Sequence, residues 1–251
     1  MSSHTRPAGA RFPPPAGYAG RFVAPLLAIL GLLLLVNVVD ALGPARAGLV
    51  LGPAVAFALV ALARRAGLSW DDLGLGRRSW RKGAMYGALG VVAVGVVYGA
   101  GALLLPAVRT AFLDDRYHLR PGPALLTALV VVPLGTVLIE EIAFRGVLLA
   151  LVRHHRGTAW ASGISSALFG LWHVLPSFRL DDANHAVGAV LGHGELARAA
   201  VVAGVVAFTA VAGLVFCELR RRSGSVLASA GLHWATNGLG VVVAAALWSM
   251  H

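Results

Sequence analysis

Seven apolar runs dominate this chain, each of the roughly 17–25 residues needed to cross a hydrocarbon core of about 30 Å. They fall near residues 22–42, 47–63, 83–107, 124–152, 157–176, 198–219 and 224–249. In a chain of 251 residues such runs leave no room for a separate soluble domain, so a single membrane domain over 21–251 is expected. Charge supports this: 13% of residues are charged, about half the share of a soluble domain. The predicted fold class is all-α, a polytopic helical bundle of about seven or eight spans around a polar cavity at mid-membrane depth. The fourth run exceeds one span, and Pro133 with Gly135 predicts a kink in it.

Residues 1–20 are rich in Pro, Gly and Ala, with no apolar periodicity, and read as a disordered tail. The net charge of +10 is spread over the ends of the apolar runs, a pattern that reports topology and contact with anionic lipid and argues against a nucleic-acid partner. With a cytoplasmic N-terminus, fourteen basic residues lie on inner segments and six on outer ones, so that orientation, in the plasma membrane, is expected. The stretch 68–83, which mixes Trp with basic residues, reads as an interfacial segment or an ordinary basic loop. The single cysteine, Cys217, forms no internal disulfide and rules out a Cys-based metal cluster.

Inside the spans, ionisable residues carry a cost of roughly 2.5–3.5 kcal/mol each even on lenient scales, so the few present are informative. They form three groups: Glu140, Glu141 and Arg145; Phe169 and His173; His233 and Asn237. Each group has helical spacing, and Glu141 precedes Arg145 by four, the favourable order for a same-face ion pair. Glu140 lies about 20 Å along a helix from Arg153, His173 about 25 Å from Arg156, and His233 about 16 Å from Arg222. All three groups therefore occupy one band of the membrane. Taken singly they have ordinary readings: a neutralised strut, a satisfied core histidine, an asparagine bonding between helices. Taken together, at matching depth, they read as one site.

In this order the groups resemble the CPBP family of intramembrane endopeptidases, which includes the type II CAAX prenyl endopeptidases and bacteriocin-processing proteins. The family pattern EExxxR, FxxxH and HxxxN is met by Glu140, Glu141 and Arg145, by Phe169 and His173, and by His233 and Asn237. The resemblance covers about 120–245 and implies about eight helical spans. The missing element is then expected within 180–196 or in the N-terminal tail.

A glutamate in a low-dielectric site can serve as general base, and Glu140 is the better candidate because Glu141 is placed to pair with Arg145. His173 would orient the water, and a neutral His233 with Asn237 would donate to the oxyanion, a division the resemblance also implies. No cofactor is expected. A zinc site of Glu140, His173 and His233 has the right ligand types but lacks HExxH. The expected activity is endopeptidase cleavage of a membrane-associated protein or peptide near the bilayer, with membrane lipids as the other partners. Two rivals stand beside it, a non-catalytic scaffold of the same family and a proton-coupled transporter. Ser165 and Ser166 read as packing residues, and Asp40 as isolated.

Overall fold

The computed structural model describes residues 18–43, 47–178, 180, 184–192 and 194–250. Among them the fold is all-α, a polytopic bundle with no strand beyond one isolated bridge between Asp114 and Asn184. In chain order the helices are α1 (Tyr18–Leu42), α2 (Gly48–Arg65), α3 (Trp80–Leu104), α4 (Pro106–Phe112) and α5 (Pro121–Arg156). They continue with α6 (Thr158–Trp172), α7 (Val174–Ser177), α8 (His185–Leu191), α9 (Glu195–Ser223) and α10 (Val226–Trp248).

Among the described residues six helices are long and apolar enough to cross a membrane: α1, α2, α3 with the 3₁₀ turn before it, α5, α9 and α10. The remaining expected run, 157–176, is broken at His173, where α6 ends and α7 begins. The tail reading lies outside the described residues up to 17, and α1 starts at Tyr18. Within the loop 180–196, where a further element is expected, the short helix α8 forms on the Asn184 cap, whose side chain accepts from Ala186 and Val187. Residues 181–183 and 193 of that loop lie outside the described set.

Lipid supplies no hydrophobic drive between helices, so close packing must come from small residues. At the α3–α10 crossing, a Cβ added to Gly231 would lie 2.6 Å from Cα of Gly87. At the α6–α9 crossing, one on Gly170 would lie 2.7 Å from the Val206 carbonyl and one on Gly213 would lie 3.0 Å from Cα of Ser166. Ser165 donates to the Phe144 carbonyl at 2.8 Å, which ties α6 to α5. On the outer side of α3 the apolar Leu89, Val92 and Val96 are exposed, the surface a lipid-facing helix needs.

The centre is the second half of α5, where every residue from Ile139 to Val152 is buried. This helix is not a regular α-helix. Thr127–Val137, around Pro133, and Glu141–Leu148 are π-helical, so the expected kink appears as a widened helix. The 68–83 segment also departs from a plain interfacial loop, because Leu68 and Leu73 fold into the core. Arg220 donates to the carbonyls of Asp71 and Asp72 at 3.2 and 2.8 Å, and Asp72 pairs with Arg153 and His154 at 3.1 and 3.0 Å. Gly74, at φ +71, passes so close under Arg220 that a side chain there would strike the guanidinium. Arg77, Arg78, Arg81 and Lys82 stay exposed beside Trp80. These contacts gather the ends of α2, α5 and α9 at one end of the bundle.

Candidate active site

Glu140 and Glu141 project from the buried heart of α5, 4% and 2% exposed. Neighbours on a helix point about 100° apart, so two adjacent buried acids need partners on two sides. His233 of α10 stands between them. Its Nδ1 lies 2.9 Å from Oε1 of Glu141, and its Nε2 lies 3.6 Å from Oε2 of Glu140. An ionised carboxylate only accepts, so Nδ1 carries the proton and donates to Glu141.

Arg145 reaches the same Oε1 of Glu141 at 3.2 Å, the i,i+4 pair read from the sequence. The contact is an ion pair, not an aligned hydrogen bond, since none of the guanidinium nitrogens has a hydrogen-bond partner. The cation is instead boxed by rings, 3.8 Å from the centroid of Phe169, 4.7 Å from Phe216 and 5.8 Å from Phe144. Phe216 also stacks on His233, with centroids 5.1 Å apart and planes 25° apart. The Phe216 ring therefore touches both the arginine and the histidine that share Glu141.

Glu140 has a different support. Its Oε1 accepts from the indole Nε1 of Trp172 at 2.9 Å, while Oε2 is buried without a hydrogen-bond partner. The carbonyl of Trp172 in turn accepts from Nδ2 of Asn37 on α1 at 2.6 Å. Asp40 lies one turn further along α1 and is exposed.

His173 occupies the break between α6 and α7 and is half-buried. Its Nδ1 donates to the Phe169 carbonyl at 2.8 Å, which leaves the other ring nitrogen turned away from the backbone. It adjoins the buried cluster through the Phe169 ring, which stands edge-on to both His173 and His233. Asn237 lies on a third π-helical turn, Ala235–Leu239, and its side chain is exposed. The structure thus draws Glu140, Glu141, Arg145, Phe169 and His233 into one buried cluster, sets His173 against it, and leaves Asn237 on an open surface one turn beyond His233.

Asn37 met the same test as the motif residues, a polar side chain inside an apolar span, and that signal was available. Trp172 and Phe216 gave no such signal, since aromatic residues are ordinary in a span. Among the described residues no three His, Cys, Asp or Glu side chains come together as a ligand set, and the Nδ1 contacts of His173 and His233 leave Nε2 as the available nitrogen of each ring.

Residues 122–239 match the family model described as type II CAAX prenyl endopeptidase, Rce1-like. The match runs from the first turn of α5 to the π-helical turn of α10 and contains every motif position above. No curated protein and no solved structure matches the chain.

Proposed function

Because the chain belongs to the CPBP family of membrane endopeptidases through residues 122–239, and six helices among the described residues are long and apolar enough to cross a membrane, we propose that it hydrolyses a peptide bond of a membrane-associated protein or peptide. The observation that carries this reading is the placement of His233 between two differently held glutamates.

Glu140 is the general base. Oε1 is fixed by Trp172, and the unpartnered Oε2 takes the proton of a water as its oxygen attacks the carbonyl carbon. His173, its Nδ1 fixed on Phe169, uses its other nitrogen to orient that water. His233 and Asn237 donate to the oxyanion that forms. The geometry changes one detail of that assignment. With Nδ1 committed to Glu141, a neutral ring offers only a lone pair at Nε2. Donation by His233 therefore needs the imidazolium, whose charge Glu141 supports. When the C–N bond breaks, Glu140 returns its proton to the leaving amine. No step is routed through a metal ion. Glu141 and Arg145 touch no substrate and hold His233 in place.

The fourteen-to-six charge bias supports a plasma-membrane protein with a cytoplasmic N-terminus. Substrates then reach the site through water at mid-membrane depth and are cut near the bilayer. The test is to incubate the protein in lipid nanodiscs with a library of membrane-proximal peptides in ¹⁸O-water. One heavy oxygen in each new C-terminus is expected. A transporter or a non-catalytic scaffold would yield no new termini.

A further inference from the structure

We propose that Trp172 and Asn37 are positioning residues for Glu140: the Asn37 amide anchors the Trp172 backbone, and the Trp172 indole holds the Glu140 carboxyl with Oε2 presented toward His233. This inference rests on the reading of Glu140 as the base, and it brings α1, which lies outside the family-matched segment 122–239, into the site.

The two glutamates are adjacent in sequence, equally buried, and would be interchangeable without something to tell them apart. Glu141 is neutralised by Arg145 and engaged by His233 at the same oxygen. Glu140 has no arginine against it, and it faces the His233 ring, 3.6 Å from Oε2, without an aligned hydrogen bond. Its only aligned hydrogen bond comes from a neutral N–H, that of Trp172 at 2.9 Å, made to Oε1. That single bond selects which oxygen is held and which is left to react. A neutral donor orients a carboxylate without cancelling its charge, as a base requires.

The indole belongs to the last residue of α6, just before the break at His173. Helix ends leave carbonyls without intrahelical partners, and here the carbonyl of Trp172 is taken by Nδ2 of Asn37 at 2.6 Å. Asn37 is 8% exposed, and a buried amide in a span is retained only against a cost. Its contact with Trp172 satisfies Nδ2, while Oδ1 is buried without a hydrogen-bond partner. The ring also packs edge-on to Phe144, with centroids 6.0 Å apart, so phenylalanine at 172 keeps an aromatic side chain there while deleting the donor.

Two measurements test this. In the first, Trp172→Phe is expected to lower kcat by about tenfold or more with little change in KM, as loss of a hydrogen bond to a charged group implies. The acid limb of its kcat/KM profile should move to higher pH, because that bond favours the ionised carboxyl. Asn37→Leu should give a smaller effect of the same kind. A merely structural role would reduce activity without moving the limb, and that result, or a wild-type profile, would overturn the proposal.

The second measurement does not depend on catalysis, so it separates this proposal from the proposed function. The chain has six tryptophans, and in ¹⁵N-indole-labelled protein the Trp172 signal is the one lost in Trp172→Phe. Its N–H proton should shift upfield in Glu140→Gln and move again in Asn37→Leu, while remaining in place in Asp72→Asn. An indole signal indifferent to Glu140→Gln would refute the positioning role even in a protein that cleaves peptides. A shift in a protein that cleaves nothing would leave the positioning geometry standing and refute the function.

Discussion

Glu141 and His233 are joined by a 2.9 Å hydrogen bond through Nδ1, which turns Nε2 of the same ring toward Glu140. The consequence is a division of labour between two adjacent acids. Glu141 is structural, in that it neutralises Arg145 and fixes His233. Glu140 keeps one oxygen, Oε2, without a hydrogen-bond partner.

Removing one partner of a fully buried ion pair leaves the other charge uncompensated, at a cost of about 3–5 kcal/mol. Glu141→Gln and Arg145→Ala should therefore unfold at clearly lower temperature or denaturant than the parent, in detergent or nanodiscs. Glu140→Gln should stay near the parent, since the indole can still donate to an amide oxygen. A Glu141→Gln protein as stable as the parent would remove the structural role.

Asp72 predicts a pH dependence at the opposite end of the bundle. Burial pushes its carboxyl up, but the Ser69 hydroxyl and amide and the His154 ring outweigh it and hold it well below the usual carboxylate range. A carboxyl depressed in the folded state adds stability above its unfolded value, about 3.9, and loses that contribution as pH falls. Asp72→Asn should thus be less stable than the parent at pH 7, with the gap closing below about pH 4. A gap that persists unchanged in acid would mean that the Ser69 and His154 contacts do not favour the ionised carboxyl.

Dialysis against chelator should leave both turnover and thermal stability unchanged, because no ligand set converges among the described residues. Zinc retained at one equivalent, with activity lost on its removal and restored on its return, would contradict this.

Topology can be read with single cysteines in a Cys217→Ser background and an impermeant thiol reagent on intact cells. Position 185, in α8, should be labelled, and position 79, before α3, should not. The reverse pattern would turn the protein over and put the site near the cytoplasmic face.

Much of the architecture could be read from the chain, for a plain physical reason. A bilayer admits helices and little else, so long apolar runs translate directly into spans, and the few polar residues within them mark a shared site. The spacing of Glu141 and Arg145 gave their ion pair, and depth counting placed His233 level with the acids. What stayed hidden depends on backbone detail. The π-helical turns around Glu141 and Asn237 leave no mark on residue type, and they decide that Asn237 is exposed while His233 is buried. The break at His173 looks like continuous apolar helix, and the folding-in of Leu68 and Leu73 follows from Arg220 finding carbonyls in a loop. Asn37 was visible by the criterion already in use; Trp172 and Phe216 were not.

In the proposed reaction Glu140, and not its neighbour, takes the proton of the attacking water. The direct measurement is single-turnover cleavage of one identified peptide by purified parent, Glu140→Gln and Glu140→Asp proteins, each shown to be folded by its unfolding curve. Turnover in Glu140→Gln should fall by at least about a hundredfold, the scale of general-base catalysis, with partial activity in Glu140→Asp. Near-normal turnover by a folded Glu140→Gln protein would contradict the account.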